Sequence, residues 1–170
     1  MTPMPGLELR NVPEGLRLSD FKLVAFDMDS TLINIECIDE MAARVGKARE
    51  VAAITEAAML GEITDYKQSL RQRVAFLKDA PVGIMQEVYE SRLQLNPGVE
   101  RLVEVCRRSG LYTLIVSGGF DYFTQRLQKK LGIHATRSNQ LEIMNGRLTG
   151  RLVQQPWGDI CDGEEKKRMV

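Results

Sequence analysis

Asp27 closes the apolar run Leu23-Val24-Ala25-Phe26 and is followed by Met28-Asp29-Ser30-Thr31. A carboxylate in this setting can attack phosphorus to give an acyl phosphate, dividing a hydrolysis into two easier displacements. A second carboxyl two positions on, Asp29, can protonate the leaving oxygen and then deprotonate the attacking water. Two acids so close repel each other as anions, which helps one keep its proton near neutral pH. Mg²⁺ is the expected counter-charge, because it prefers carboxylate, carbonyl and phosphate oxygens. A second group of interest is Ser117-Gly118-Gly119, which follows Tyr112-Thr113-Leu114-Ile115-Val116. A hydroxyl and backbone N–H groups ahead of a helix make a natural phosphate cradle. Alone, Asp-x-Asp commonly caps a helix and Ser-Gly-Gly commonly makes a turn. Together, with a later lysine, they describe one phosphoryl-transfer site.

The elements that must hold these residues follow from the apolar pattern. Leu23 to Phe26 reads as a short buried parallel strand, and Tyr112 to Val116 as a second strand ending in Ser117-Gly118-Gly119. Between them, Ile38, Met41, Ala42, Val45, Val51, Ile54 and Ala58 recur at helical spacing. Ser69 to Leu77 and Val82 to Leu95 also read as helices. Pro97-Gly98 opens an amphipathic helix stopped by Gly110, and another helix runs through Phe123, Leu127 and Leu131 to Gly132. Gln140 to Val153 reads as a hairpin around Asn145-Gly146. A last helix is expected from near Gly163 to Val170. The pattern predicts an α/β fold, a Rossmann-like parallel sheet core with an inserted helical cap. Residues 1–20 form an N-terminal arm, 21–33 and 96–170 the core, and 34–95 the cap. In such sheets ligands collect at the carboxyl ends of the strands, where Asp27 and Ser117 both fall.

Composition excludes several other classes. Hydrophobic residues make up 44% and charged residues 27% of the 170, which suits a globular protein. Lys+Arg and Asp+Glu balance at 23 each, so the basic surplus that nucleic acid binding requires is missing. No apolar run reaches the length of a membrane span, and Met1 to Gly6 does not read as a secretory signal. Cys37, Cys106 and Cys161 are odd in number and widely spaced, which favours reduced thiols and a cytoplasmic location. With His134 the only histidine, Cys–His catalysis is an unfavoured alternative.

The combined motifs resemble those of the haloacid dehalogenase-like phosphotransferases, within them the branch acting on O-phospho-L-serine. The matching segments are Asp27-Met28-Asp29-Ser30-Thr31-Leu32, Glu36-Cys37-Ile38-Asp39-Glu40, Ser69-Leu70-Arg71-Gln72-Arg73-Val74, and Val116-Ser117-Gly118-Gly119-Phe120-Asp121. Asn139 and Asn145-Gly146-Arg147-Leu148-Thr149-Gly150 extend the match. The resemblance implies a Mg²⁺-dependent phosphomonoesterase of serine biosynthesis, with Asp27 as nucleophile and Asp29 as acid/base. Mg²⁺ would meet the Asp27 carboxylate and the Asp29 backbone carbonyl. Ser117 and Gly118 would hold phosphate, with Lys166 neutralising its charge, and Asn139 would also bind substrate. Glu36 would meet the substrate ammonium and Arg73 its carboxylate. Arg71 and Lys167 are adjacent rivals for the two cationic roles, and Met59 and Tyr66 align with positions that close over substrate.

The family continues into a further core strand and an acidic Gly-Asp-Gly-x-x-Asp loop that completes the metal site. This chain is therefore expected to be a truncated form, with its own activity open and with self-association through the open core edge as an expectation. A phosphomutase or phosphotransferase of the same fold, and a non-catalytic binding protein, are the alternatives.

Overall fold

The computed structural model describes residue 8 and residues 10–170, except for the side chain of Met59. The expected arm thus lies partly outside the described residues. Its described part runs through a short helical turn at Leu18–Asp20 into the first strand.

The core is a parallel sheet of three strands, β1 (Leu23–Phe26), β2 (Tyr112–Phe120) and β3 (Ala135–Asn139), in the order β1-β2-β3. Leu114, Ile115 and Val116 in the central strand are buried. Around the sheet pack α5 (Val99–Arg108), α6 (Asp121–Leu131) and α7 (Gly163–Met169). α5 turns Val99, Val103 and Cys106 inward and ends in Arg107-Arg108, which suits the negative end of its dipole. α6 buries Phe123, Leu127 and Leu131, at the spacing of one helix face.

The cap carries α1 (Cys37–Arg44), α2 (Ala48–Met59), α3 (Tyr66–Ala75) and α4 (Gly83–Ser91). Gly46, at φ +71°, breaks what reads in sequence as one helical period into α1 and α2. The helix expected over 82–95 stops at Ser91. The residues beyond it pair with the outgoing linker: Asn34 N donates to Gln94 O (3.0 Å), Gln94 N to Asn34 Oδ1 (2.8 Å) and Asn96 N to Leu32 O (2.9 Å). Pro97 also disfavours helix in the residue before it. The two linkers that join cap to core therefore run side by side.

Two further features differ from the sequence pattern. β3, Ala-Thr-Arg-Ser-Asn, has no apolar run, yet it pairs with β2 along Leu114↔Ala135, Ile115↔Thr136 and Val116↔Arg137. The hairpin of β4 (Leu141–Met144) and β5 (Arg147–Leu152), expected with the core, bonds to the turn between α3 and α4. Asp79 N donates to Leu148 O, Leu148 N to Ala80 O, and Val82 N to Gly146 O, each at 2.9–3.0 Å. Among the described residues no helix is long and apolar enough to cross a membrane. All three cysteines are free and buried.

Gly150 lets the hairpin dock. Its φ is +78°, and a Cβ there would lie 2.9 Å from Lys78 Cβ and 3.2 Å from the Ala75 carbonyl. Gly150→Ala is expected to lower stability by about 1–3 kcal/mol, the usual cost of a side chain forced into this backbone region. Urea unfolding measures this, and an unchanged midpoint would mean that the hairpin does not dock against α3 in solution.

Candidate active site

The parallel register sets Leu23 opposite Tyr112 and Phe26 opposite Ile115, so the residues after β1 meet the end of β2. Asp27 caps a tight turn over Met28–Leu32, its Oδ1 accepting from Met28 N at 2.9 Å. Within that turn Ser30 takes φ +52°, a left-handed conformation uncommon outside glycine. The turn seats Asp27 and Asp29 on the same cavity.

Asp29 is held from the cap side. Its Oδ1 accepts from Cys37 N, the first backbone donor of α1, at 3.1 Å, and so satisfies a helix end that otherwise lacks a partner. Its Oδ2 lies against β2: a Cβ on Gly119 would stand 2.6 Å from Asp29 Oδ2 and 2.7 Å from Met28 Cε. A side chain at position 119 would have to displace these two groups. This burial raises the Asp29 carboxyl from the usual 3.8 to about 6; the Cys37 bond opposes the rise, and the charges of Glu36 and Asp27 add to it. Desolvation, rather than the expected repulsion between the two aspartates, is the largest cause. Cys37, buried beside Asp29, has its thiol pushed far up by desolvation and is inert as a nucleophile.

Ser117, Gly118 and Gly119 line the same cavity. They belong to the bulged end of β2, where the pairing with β3 shifts register between Val116 and Phe120. The sequence suggested a strand-to-helix turn; α6 instead begins at Asp121. Gly119 N donates to Ser117 Oγ at 3.0 Å, so the hydroxyl proton of Ser117 stays free for an anion. The Gly119 N–H, expected to be open, is engaged by that bond.

Lys166 reaches the cavity from α7, its Nζ 3.0 Å from Asp27 Oδ2. Asp162 caps that helix, accepting from Glu165 N at 2.9 Å. Lys167 does not line the cavity, which separates the two rivals by geometry. The cap contributes Glu36, Ile38, Tyr66, Leu70 and Arg73. Glu36 is steadied by Ser30, whose hydroxyl donates to Oε1 at 2.6 Å. Asp65 caps α3, accepting from Lys67 N at 2.8 Å, and fixes its phase. Tyr66, Leu70 and Arg73, at i, i+4 and i+7, then share the cavity face, while Arg71 pairs with Asp159. Arg73 Nε and Asp39 Oδ1 are buried without hydrogen-bond partners. Burial raises the Asp39 carboxyl, with the nearby Arg73 charge opposing.

Asn139 is elsewhere. It is 1% exposed and does not line the cavity. Its Nδ2 donates to Gly118 O at 2.7 Å and its Oδ1 accepts from Cys161 N at 2.8 Å. Its amide pins the Ser117–Gly119 stretch to the segment that leads into α7. Met59 falls outside the described side chains. Tyr66, matched only loosely in sequence, has its hydroxyl where a Cβ on Gly118 would collide with it, and its phenol is pushed up to about 12 mainly by burial. Sequence reasoning missed the capping roles of Asp65 and Asp162, although an acidic residue before each helix was the available signal. His134 bonds Thr113 and stacks on Tyr112, away from the cavity.

The cavity holds about 250 Å³, less than the roughly 300–1,000 Å³ of a drug-sized ligand pocket. Among the described residues no group of three or more His, Cys, Asp or Glu could surround a metal ion. Mg²⁺, however, commonly takes only one or two carboxylates, adding substrate phosphate oxygens and water. The Asp27–Asp29 pair fits that smaller requirement.

The Asp29 carboxyl makes stability depend on pH. Its folded value lies above that of the unfolded chain, so between roughly pH 4 and 6 the folded protein keeps a proton that the unfolded chain has released. The contribution is complete below about pH 4 and lost as pH rises through about 6, on the order of 3 kcal/mol. Urea midpoints in metal-free buffer are expected to fall over that window, and to fall less in Asp29→Asn. Equal pH slopes in the two proteins would contradict the buried acid.

Comparison with known proteins is consistent with this geometry. The sequence profile of haloacid dehalogenase-like hydrolases matches residues 24–170. The chain is 64% identical over 166 residues to a phosphoserine phosphatase of Polaromonas sp. strain JS666, covering 98% of this chain and 70% of that protein. It is similar to a solved phospho-aspartyl intermediate analogue of phosphoserine phosphatase (TM-score 0.72, 39% identity), covering 78% of this chain and 62% of that one. A substrate-bound phosphoserine phosphatase complex aligns with TM-score 0.76 and 35% identity, covering 88% and 70% of the two chains. The chain thus spans somewhat under two thirds to 70% of the length of these relatives. It belongs to the haloacid dehalogenase-like hydrolases.

Proposed function

We propose that the protein hydrolyses O-phospho-L-serine to L-serine and phosphate through a phosphoryl group carried on Asp27. The observation that carries this reading is the division of charge in one cavity. Asp27, Asp29, Ser117 and Lys166 cluster on the core side, and Glu36 and Arg73 stand on the cap side. A phosphorylated amino acid offers one phosphate, one ammonium and one carboxylate to match them. The relatives named phosphoserine phosphatase support the same substrate.

In the first step an Asp27 carboxylate oxygen attacks phosphorus as the bond to the serine oxygen breaks, and Asp29 delivers its proton to that oxygen. A carboxyl at about 6 is suited to this, being protonated in a useful fraction near neutrality. In the second step the ionised Asp29 takes a proton from water, the water oxygen attacks phosphorus, and Asp27 leaves as carboxylate. Lys166 and the Ser117 hydroxyl offset charge on the phosphoryl oxygens. Arg73 presents a planar fork to the substrate carboxylate and Glu36 accepts from its ammonium. Mg²⁺, held by the Asp27 carboxylate and the Asp29 carbonyl, would supply further positive charge at the phosphate.

Asp27→Asn is expected to abolish phosphoserine turnover, a loss of at least about 10³-fold given the weight of a covalent nucleophile. Phosphate release that survives this change would overturn the nucleophile. Arg73→Lys should raise KM for phosphoserine by roughly tenfold, since a bidentate pair is lost, while leaving an aryl phosphate unaffected. An equal penalty on both substrates would refute the carboxylate role.

A further inference from the structure

α3 has a second charged face. Lys67 and Arg71 are one turn apart, beside the Tyr66–Leu70–Arg73 face that lines the cavity. Lys67 Nζ lies 3.4 Å from Asp162 Oδ2, and Arg71 pairs with Asp159. Both acids belong to the core segment that leads into α7, the helix of Lys166. Among the described residues these are the only ion pairs that join a cap helix to the core. Arg44–Glu87, Lys47–Glu50 and Arg92–Glu40 stay within the cap, and the others stay within the core, the hairpin or the arm.

Asp162 has a double duty. One of its oxygens caps α7 and the other takes Lys67. A cap that lies down on the core therefore meets the carboxylate that fixes where Lys166 points. The Arg71–Asp159 pair is half exposed, at 51% and 46% of the side chains. Exposed pairs of this kind shift an equilibrium by only about 1.4- to 5-fold each, and salt weakens them. That weakness is suitable, because a closure that must release product on every cycle cannot be held tightly.

We propose that Lys67 and Arg71 are positioning residues that latch the cap over the cavity through Asp162 and Asp159, setting the fraction of closed protein and with it the affinity for the phosphorylated ligand. The consequence for phosphoserine rests on the proposed substrate; the latch itself does not.

Hydrogen exchange at the α3 amides in ligand-free protein reads the latch directly, with urea unfolding as the control for global stability. Arg71→Glu and Lys67→Glu are each expected to speed α3 exchange by roughly fivefold with little change in urea midpoint. Half-molar salt should speed it in the native protein and less in each single variant, which keeps only one of the two pairs. The swapped pair Arg71→Glu/Asp159→Arg should return exchange to within about twofold of native. The single variants should also raise KM for phosphoserine by a similar factor without lowering turnover at saturation. Unchanged α3 exchange in the single variants, or a swapped pair that exchanges as fast as they do, would overturn the latch. If exchange behaves as expected but phosphoserine is neither bound nor hydrolysed by any of the proteins, the latch stands and the substrate assignment fails.

Discussion

The arrangement depends on how closely the turn after β1 approaches the end of β2. Parallel pairing with Phe26 opposite Ile115 brings both strand ends to one edge of the sheet, and glycine at 119 leaves space for the Asp29 carboxylate and the Met28 side chain where they stand. That contact buries Asp29, and burial is what lifts its carboxyl towards neutrality. Asp27, in the same turn, remains 44% exposed. Two acids two residues apart thus differ in solvation. The proposed chemistry needs a proton donor, and the packing suits Asp29 to that role.

The cap completes what the core begins. Its first helix donates a backbone N–H to Asp29, so the acid is positioned by the insertion that also carries Glu36. The paired linkers 31–34 and 94–96 bring the chain out and back at one place, and the hairpin holds the opposite corner through the 79–82 turn. Between these supports, α3 places Tyr66 and Arg73 on the cavity wall. In the proposed reaction, the elements that cover the cavity also meet the part of the substrate that is not phosphate.

Much of this was legible in the residues. Apolar runs located β1 and β2, and the helical spacing after residue 37 announced the cap. β3 was not legible because its burial comes from neighbours: Arg137 lies over Trp157 and Ala135 packs with Leu114 and Val116, so the strand needs no apolar run of its own. Arg71 and Arg73 could not be separated by residue type; two positions apart on α3, they fall on different faces, Arg73 on the cavity and Arg71 against Asp159. Asn139 had the chemistry of a ligand contact but serves as a brace between Gly118 and Cys161. Such a role depends on contacts 21 and 22 residues away along the chain and leaves no local pattern.

The central claim is that Asp27 carries the phosphoryl group, and acid-quench mass spectrometry tests it most directly. The protein is mixed briefly with phosphoserine and Mg²⁺, quenched, digested and mapped. One phosphoryl adduct on the peptide containing Asp27, absent from Asp27→Asn and retained in Ser117→Ala, is the predicted result. An adduct on Ser117 or any other side chain, with Asp27 unmodified during turnover, would contradict the account.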